Sequence, residues 1–323
     1  MMICKFCQKK AIIRLPYARL SLCQVHFNEF MVKKVLKSIK RYKMISKGDR
    51  ILVAVSGGKD STTLLHILSL LSSTLNIELY GIYIDLGLGE YSEKSKQKVK
   101  ELFKLLNIEH VIVDLKESLG FKVPELSKLS KRPTCSVCGL IKRYVLNTIA
   151  LNLKANSIAT GHTMDDMIAY ILKEFILGNY GQLVKLKPKL EAIAGLMPAR
   201  IKPLVEVSER ESLVYALVNN LPIYHGECPY RPQESIEVEI KSFFNMLETR
   251  HPGIKIQFLR KFFKGEAVNL KDVTLGEIKK CSICGMPSST DVCALCKLIY
   301  RIEGSYNRIL EFLDKINSIE LLR

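Results

Sequence analysis

Residues 51 to 68 read ILVAVSGGKDSTTLLHIL, an apolar run stopped by Ser56, Gly57 and Gly58 and followed at once by a segment of helical period. A buried strand that runs into a helix through two glycines leaves little choice of architecture. The glycines let the backbone turn tightly, and the first amides of the helix then point outward as a cradle for an anion. Lys59 adds a point charge, and Ser56, Ser61 and Thr62 offer hydroxyl donors to phosphate oxygens. This is not a Walker A loop, because Val53 stands where that motif needs its first glycine, nor is it GxGxxG.

The pattern around the junction repeats. Strand-like LYGIYI (79 to 84), HVIVD (110 to 114) and SIAT (157 to 160) are each followed by a stretch of helical periodicity, so the spacing predicts an α/β fold with a helix-wrapped parallel sheet. Ligands of such sheets collect at the carboxyl ends of the strands. Five prolines between 198 and 232 break up the later part, leaving helices near 208 to 219 and 234 to 248, and a short basic linker after His251, Pro252 and Gly253. Residues 27 to 45 place Phe27, Met31, Val35, Ile39 and Tyr42 at helical spacing, with Lys33, Lys34, Lys37, Lys40, Arg41 and Lys43 on the remaining faces. That is a basic amphipathic helix, suited to RNA, an acidic membrane or a docked linker.

Forty-nine Lys plus Arg against 32 Asp plus Glu give a net charge of +17, which points to a polyanionic partner. With no tryptophan and scattered tyrosine and phenylalanine, a base-stacking platform is not visible. Neither an apolar signal core nor a membrane-length apolar run occurs, so the expected location is the cytoplasm, where thiols stay reduced and Cys-x-x-Cys spacings favour metal over disulfide.

The ten cysteines fall into three sets. Cys4, Cys7, Cys23 and His26 have zinc-finger spacing, and Cys281, Cys284, Cys293 and Cys296 that of a four-cysteine ribbon; small knuckles of this kind do not fold without metal. Cys135, Cys138 and Cys228 remain, three thiols without a fourth protein partner. Such a trio fits a zinc ion with an open position, a [4Fe-4S] cluster with one iron free for an outside ligand, or a redox pair with Cys228 merely buried.

The string SGGKDS resembles the PP-loop of ATP pyrophosphatases, which split ATP into AMP and pyrophosphate while adenylating a carbonyl oxygen. GHTMDD, at 161 to 166, is similar to the GHNxDD element of one PP-loop subgroup, with Thr163 in place of the usual asparagine. Together with CSVCGLIKRY at 135 to 144, ECPYRP at 227 to 232 and the paired terminal fingers, the whole chain resembles tRNA 2-thiouridine synthetases (tRNA 2-thiolation sulfurtransferases) of the TtuA type. The resemblance implies a Rossmann-like PP-loop sheet of the adenine nucleotide alpha hydrolase kind, flanked by zinc-finger modules. It divides the chain into an N-terminal zinc finger (1 to 30), a basic linker helix (31 to 48), a catalytic domain carrying the Fe-S site (49 to 250), a zinc ribbon (275 to 300) and a terminal helix (301 to 323).

For the site, the resemblance implies ATP held by Ala54, Val55, Ser56, Gly57, Gly58, Lys59, Asp60 and Ser61, with Ile84 against adenine and Gly161 and Asp166 completing the nucleotide site. Mg²⁺ would lie beside Asp60 or Asp166, while Asp165 suits helix capping. Cys135, Cys138 and Cys228 would hold a [4Fe-4S] cluster as the sulfur handle, with Lys142 beside it and two Zn²⁺ in the terminal modules. The implied reaction is adenylation of a tRNA uridine at its carbon 2 oxygen followed by sulfur transfer, the sulfur coming from the thiocarboxylate of a ubiquitin-like carrier protein, with a homodimer as the assembly. Competing readings are a PP-loop ligase or amidotransferase with a zinc-only site, and a zinc-finger RNA-binding protein that uses ATP structurally.

Overall fold

The computed structural model describes residues 2–232, 234–265 and 277–323. Its frame is a six-stranded sheet. In chain order, β1 (Ile13–Leu15) and β2 (Leu20–Leu22) form an N-terminal hairpin; β3 (Arg50–Ala54), β4 (Glu78–Asp85), β5 (His110–Asp114), β6 (Ser157–Ala159), β7 (Lys189–Leu190) and β8 (Ala199–Ile201) build the sheet; β9 (Lys279–Lys280) and β10 (Pro287–Ser288) pair near the C-terminus. Across the sheet the order is β5-β4-β3-β6-β8-β7, all neighbours parallel except the antiparallel edge strand β7. The four strands expected from apolar runs are present. Strand β8 was not expected: three residues between Pro198 and Lys202-Pro203 give no alternation to read, and only pairing with its neighbours β6 and β7 makes them a strand.

Helices cover both faces. Those on one face are α1 (Gln24–Arg41), α2 (Lys59–Leu75), α3 (Glu90–Leu106), α7 (Met164–Ile176), α9 (Glu209–Val218), α10 (Ile236–Arg250) and α11 (Ile254–Lys264), packed around Ile51, Val53 and Val55. The other face carries α4 (Leu115–Leu119), α5 (Val123–Ser130), α6 (Thr134–Asn152), α12 (Ala294–Glu303) and α13 (Asn307–Asn317), around Leu52, Ile82 and Ile158. The short α8 (Tyr180–Leu183) leads toward β7. Alternate residues of β3 thus serve opposite cores, as expected of a strand buried on both sides.

Three details differ from the sequence expectations. The segment after Gly253 is the helix α11 rather than a basic linker as far as Lys264, because Phe258, Leu259 and Phe262 pack it inward; residues 266–276 lie outside the described residues. The C-terminal segment is two helices, since Gly304 caps α12 with a φ of +71°. And the basic face of α1 is not all solvated: Lys34 is buried and donates to Glu211 at 2.7 and 2.8 Å, with Tyr17 donating to the same carboxylate at 2.5 Å. Arg41 of α1 and Arg260 of α11 both pair with Glu206. The buried Lys34–Glu211 pair and the arginines on the buried Glu206 bolt α1 and the N-terminal hairpin to the sheet domain, leaving Lys33, Lys37, Lys40 and Lys43 outermost.

Candidate active site and metal centres

The glycine junction sits at the carboxyl edge between β3 and α2. Gly57 holds a φ of +84°, open to glycine at little cost, and a Cβ there would lie 3.1 Å from Ser95 Cβ and from its carbonyl oxygen. Gly58 is the N-cap of α2 without a side-chain cap, so the amides of its first turn keep their outward role. Ser61 Oγ takes a bond from the Ser56 amide at 3.0 Å and meets Ser56 Oγ at 3.1 Å, which fixes the loop from within. The Tyr224 amide donates to the Gly57 carbonyl at 2.8 Å, tying the segment that leads to Cys228 onto this turn.

Gly161 follows β6 and faces the same turn. A Cβ on it would fall 2.8 Å from the Ser61 amide nitrogen and 2.9 Å from the Asp60 carbonyl carbon. Its bare backbone therefore packs on the backbone of the anion cradle. Ala54 ends β3 and Val55 follows it, buried and with its amide bonded to the Ile82 carbonyl at 2.9 Å, while Ile84 lies near the end of the adjacent strand.

The carboxylates divide by environment. Asp165 is buried, ion-paired with Lys255 and accepting the Glu209 amide at 2.7 Å, so it joins α7, α9 and α11. Asp166 accepts from the Thr163 amide and hydroxyl at 2.9 Å each and from Lys241 Nζ at 2.5 Å. Burial alone would raise its pKa, but the Lys241 ammonium and the Thr163 amide hold it below the usual carboxylate range. Asp60 goes the other way: burial pushes its carboxyl up despite Lys59 at 2.7 Å, and the nearby charge of Asp166 adds to the rise. Its Oδ1 is buried with no hydrogen-bond partner, an orphan acceptor that a cation would satisfy. Lys241 and Lys255, 75 and 90 residues from the aspartates they hold, gave no signal in the sequence.

The cysteine sets differ in kind. Cys4, Cys7, Cys23 and His26 bring their ligand atoms within 4.8 Å of one another, as do Cys281, Cys284, Cys293 and Cys296. Sulfur pairs at 3.6 Å (Cys7 and Cys23) and 3.8 Å (Cys281 and Cys296, Cys284 and Cys293) match the spacing of about 3.8 Å that tetrahedral zinc–thiolate bonds of about 2.3 Å require. Backbone amides of Cys293 and Cys296 donate to Cys281 and Cys293 sulfurs, as in a knuckle built for thiolates.

Cys135, Cys138 and Cys228 do not gather that tightly. They still face one another: burial pushes the Cys138 thiol up, Lys142 pulls it down, and Cys228 and Cys135 push it up again. Cys135 is exposed, with its sulfur 3.4 Å from the Tyr230 carbonyl, and the other two are half-buried. Three thiols without a fourth protein ligand, one of them exposed, suit a multi-iron cluster with an accessible corner.

An anion cradle at a sheet's carboxyl edge, an orphan carboxylate beside it and three convergent thiols define a nucleotide-using enzyme of the PP-loop class. Residues 27–224 match the sequence family described as a PP-loop domain, and residues 3–28 that of the N-terminal LIM domain of the 2-thiouridine synthetase TtuA. The tRNA-5-methyluridine(54) 2-sulfurtransferase of Pyrococcus horikoshii is 41% identical over 296 residues, covering 92% of this chain and 93% of that protein. Its namesake from Thermus thermophilus is 37% identical over 303 residues, covering 93% and 92%. The solved U34-tRNA thiolase NcsA from Methanococcus maripaludis, with its [4Fe-4S] cluster, superposes with a TM-score of 0.77 at 28% identity, covering 92% of this chain and 95% of its own. The chain belongs to this family of PP-loop tRNA 2-sulfurtransferases.

Proposed function

We propose that this protein replaces the carbon 2 oxygen of a tRNA uridine by sulfur at the expense of ATP, and that the uridine is the methylated one at position 54. The single observation that carries the reaction is the tie between the two half-sites: the Tyr224 amide, four residues before Cys228, bonds to the Gly57 carbonyl of the cradle at 2.8 Å. The choice of position 54 is supported by relatives named for it at 41% and 37% identity, against 28% for the position 34 enzyme of known structure.

The carbonyl oxygen of uracil is a poor leaving group and must first be activated. In this reading it attacks the α-phosphorus of ATP and pyrophosphate departs, its charge stabilised by the Gly57 and Gly58 amides, Lys59 and Ser61. Asp60, with its orphan oxygen and raised pKa, is the residue that would hold Mg²⁺, which screens the phosphates. Asp166, already engaged by Lys241 and Thr163, serves by fixing that neighbourhood and keeping its charge near Asp60. The family resemblance supports Ile84, near the end of β4, as the contact for adenine. Addition of sulfur at carbon 2 then expels AMP and restores the ring as a thiocarbonyl. A [4Fe-4S] cluster on Cys135, Cys138 and Cys228, as borne by the structural relative, would supply an iron without a protein ligand on which sulfide can wait. Lys142, whose charge offsets part of the rise that burial imposes on the Cys138 thiol, favours the thiolate form that ligation needs. Zn²⁺ in each terminal set would be structural, being closed by four ligands. The family resemblance further supports a thiocarboxylated ubiquitin-like carrier as sulfur source and a homodimer as the working form.

The experiment combines anaerobically purified protein, ATP, sulfide and tRNA that carries the methylated but unthiolated uridine at position 54, with nucleoside mapping of the product. Thiolated 54 from the wild type and none from Cys135→Ala is the expected result; thiolation at another position refutes the site choice, and AMP formation without thiolation refutes the reaction. Neither a ligase with a zinc-only site nor an RNA-binding protein without catalysis finds support in the relatives.

A further inference from the structure

Three lysines are buried among the described residues: Lys34, Lys202 and Lys255. Lys34 is neutralised by Glu211 and Lys255 by Asp165, as an interior ammonium requires. Lys202 is different, since its Nζ donates at 2.6 Å to the Lys187 carbonyl, a neutral acceptor. Burial, with the adjacent Arg200 charge, brings its ammonium down to about 8. Arg200, itself half-buried, donates at 3.0 Å to the Asn147 side-chain oxygen, again a neutral group. A buried ammonium beside a half-buried guanidinium, each on a neutral acceptor, is costly to fold around, so something at this place repays it.

The place is informative. Arg200 pairs in register with Ile158 and contacts α6, so it lies on the sheet face where α6 packs. Lys202 directly follows β8, its amide still bonded to the Pro188 carbonyl of the neighbouring segment at 3.0 Å, so the alternation carries on to it and its ammonium feels the Arg200 charge. Arg143 lies one turn of α6 before Asn147, its guanidinium folded back into the room left by the absent side chain of Gly139, next to Cys138. On the other side the charges of Lys202 and Arg200 reach His162, at the end of β6, and help hold its imidazole below its usual pKa, burial being the larger cause. Each of these cations is thus within electrostatic reach of the next between Cys138 and His162, and Arg200 lies on the opposite face of the sheet from α2. The phosphates that rest on the α2 amides do not need these cations. Guanidinium and ammonium together match a phosphate oxyanion, the first by paired donors and the second as a point charge.

We infer that Lys202 and Arg200 form a phosphate-binding pair on the thiol side of the carboxyl edge, which receives either the sugar-phosphate next to the target uridine or the α-phosphate of the nucleotide. The inference rests on the proposed function, since it takes this edge as the place where ATP and RNA meet. Full-length Lys202→Met and Arg200→Gln proteins test it in two arms: equilibrium binding of ATP without RNA, and binding of tRNA without ATP at several salt concentrations. Each variant should lose about tenfold in one arm, the RNA arm also losing about one unit of salt slope if the phosphate is the RNA's. Lys202→Met should melt no lower than wild type, because an apolar chain replaces a buried cation without a carboxylate. Affinities within twofold of wild type in both arms, or a lower melting temperature as the only change, overturn the pair. Wild-type AMP formation with tRNA is measured on the same preparation. Its absence would sink the proposed function, whereas unchanged variant affinities would sink the pair alone.

Discussion

Gly161→Ala is the smallest change that should disconnect the fold from the chemistry. The added methyl would sit 2.8 Å from the Ser61 nitrogen, 2.9 Å from the Asp60 carbonyl carbon and 3.0 Å from Ser61 Cα. Carbon contacts are most favourable near 3.5–4.0 Å, so the two backbones must part by about 0.7 Å. None of the opposing atoms belongs to a flexible side chain that can swing away. Overpacking of this kind costs about 1–3 kcal/mol, which for a domain of this size lowers the melting temperature by roughly 2–10 °C. The displaced atoms are the first turn of α2, whose amides form the cradle, so ATP affinity should fall by more than the stability loss alone would suggest, roughly tenfold or beyond. The assay pairs thermal melting with equilibrium ATP binding, and Gly181→Ala is the control because a Cβ there meets nothing within 4 Å. If Gly161→Ala binds ATP as the control does, the close approach of the two backbones does not position the cradle and the reasoning fails.

Lys255→Met should cost about 3–5 kcal/mol, because it leaves the buried Asp165 charge without its ammonium; chemical denaturation measures it, and Asp165→Asn combined with Lys255→Met should recover part of the loss. Glu211, Glu206 and Asp166 are all held below their ordinary pKa values, burial opposing and the facing cations winning. Their contribution is therefore complete above about pH 4.5 and is lost as pH falls through the lower folded-state values. A melting profile against pH should fall on the acid side of that range and fall less steeply in Glu211→Gln, which will also start from a lower plateau because Lys34 loses its partner; an equal slope in both proteins contradicts the assignment. Cys296→Ser should release the metal of the C-terminal set while the N-terminal set keeps its own, read as half the zinc per chain by elemental analysis.

How much of this was legible from the residues alone follows from the reach of each interaction. The strand–glycine–helix junction, the two four-ligand metal sets and the parallel sheet are local patterns, in which a strand's apolar run or a knuckle's spacing declares itself within 20 residues or so. The cysteine trio was visible only as a remainder, and Cys228 joins Cys135 and Cys138 through tertiary folding that spacing does not encode. Helix α11 was hidden by its own charges: Lys255, Arg260, Lys261 and Lys264 read as a basic linker, although Ile254, Phe258, Leu259 and Phe262 recur at helical period and would have shown it. The deepest omission is the set of buried cations. Lys34, Lys202, Lys241 and Lys255 look like a general basic surface in a chain of net charge +17, yet three of them are internal or nearly so. A count of lysines cannot separate those that meet solvent from those that hold Asp165 or Asp166 in place, because that distinction lies in which carboxylate the fold brings across 75 or 90 residues. The surplus charge is thus two populations: outer lysines such as Lys37 and Lys40 on α1, available to a polyanion at long range, and inner ones that shape the site. Salt should weaken the work of the first and leave the second nearly untouched, since ions screen exposed charges far more than buried ones.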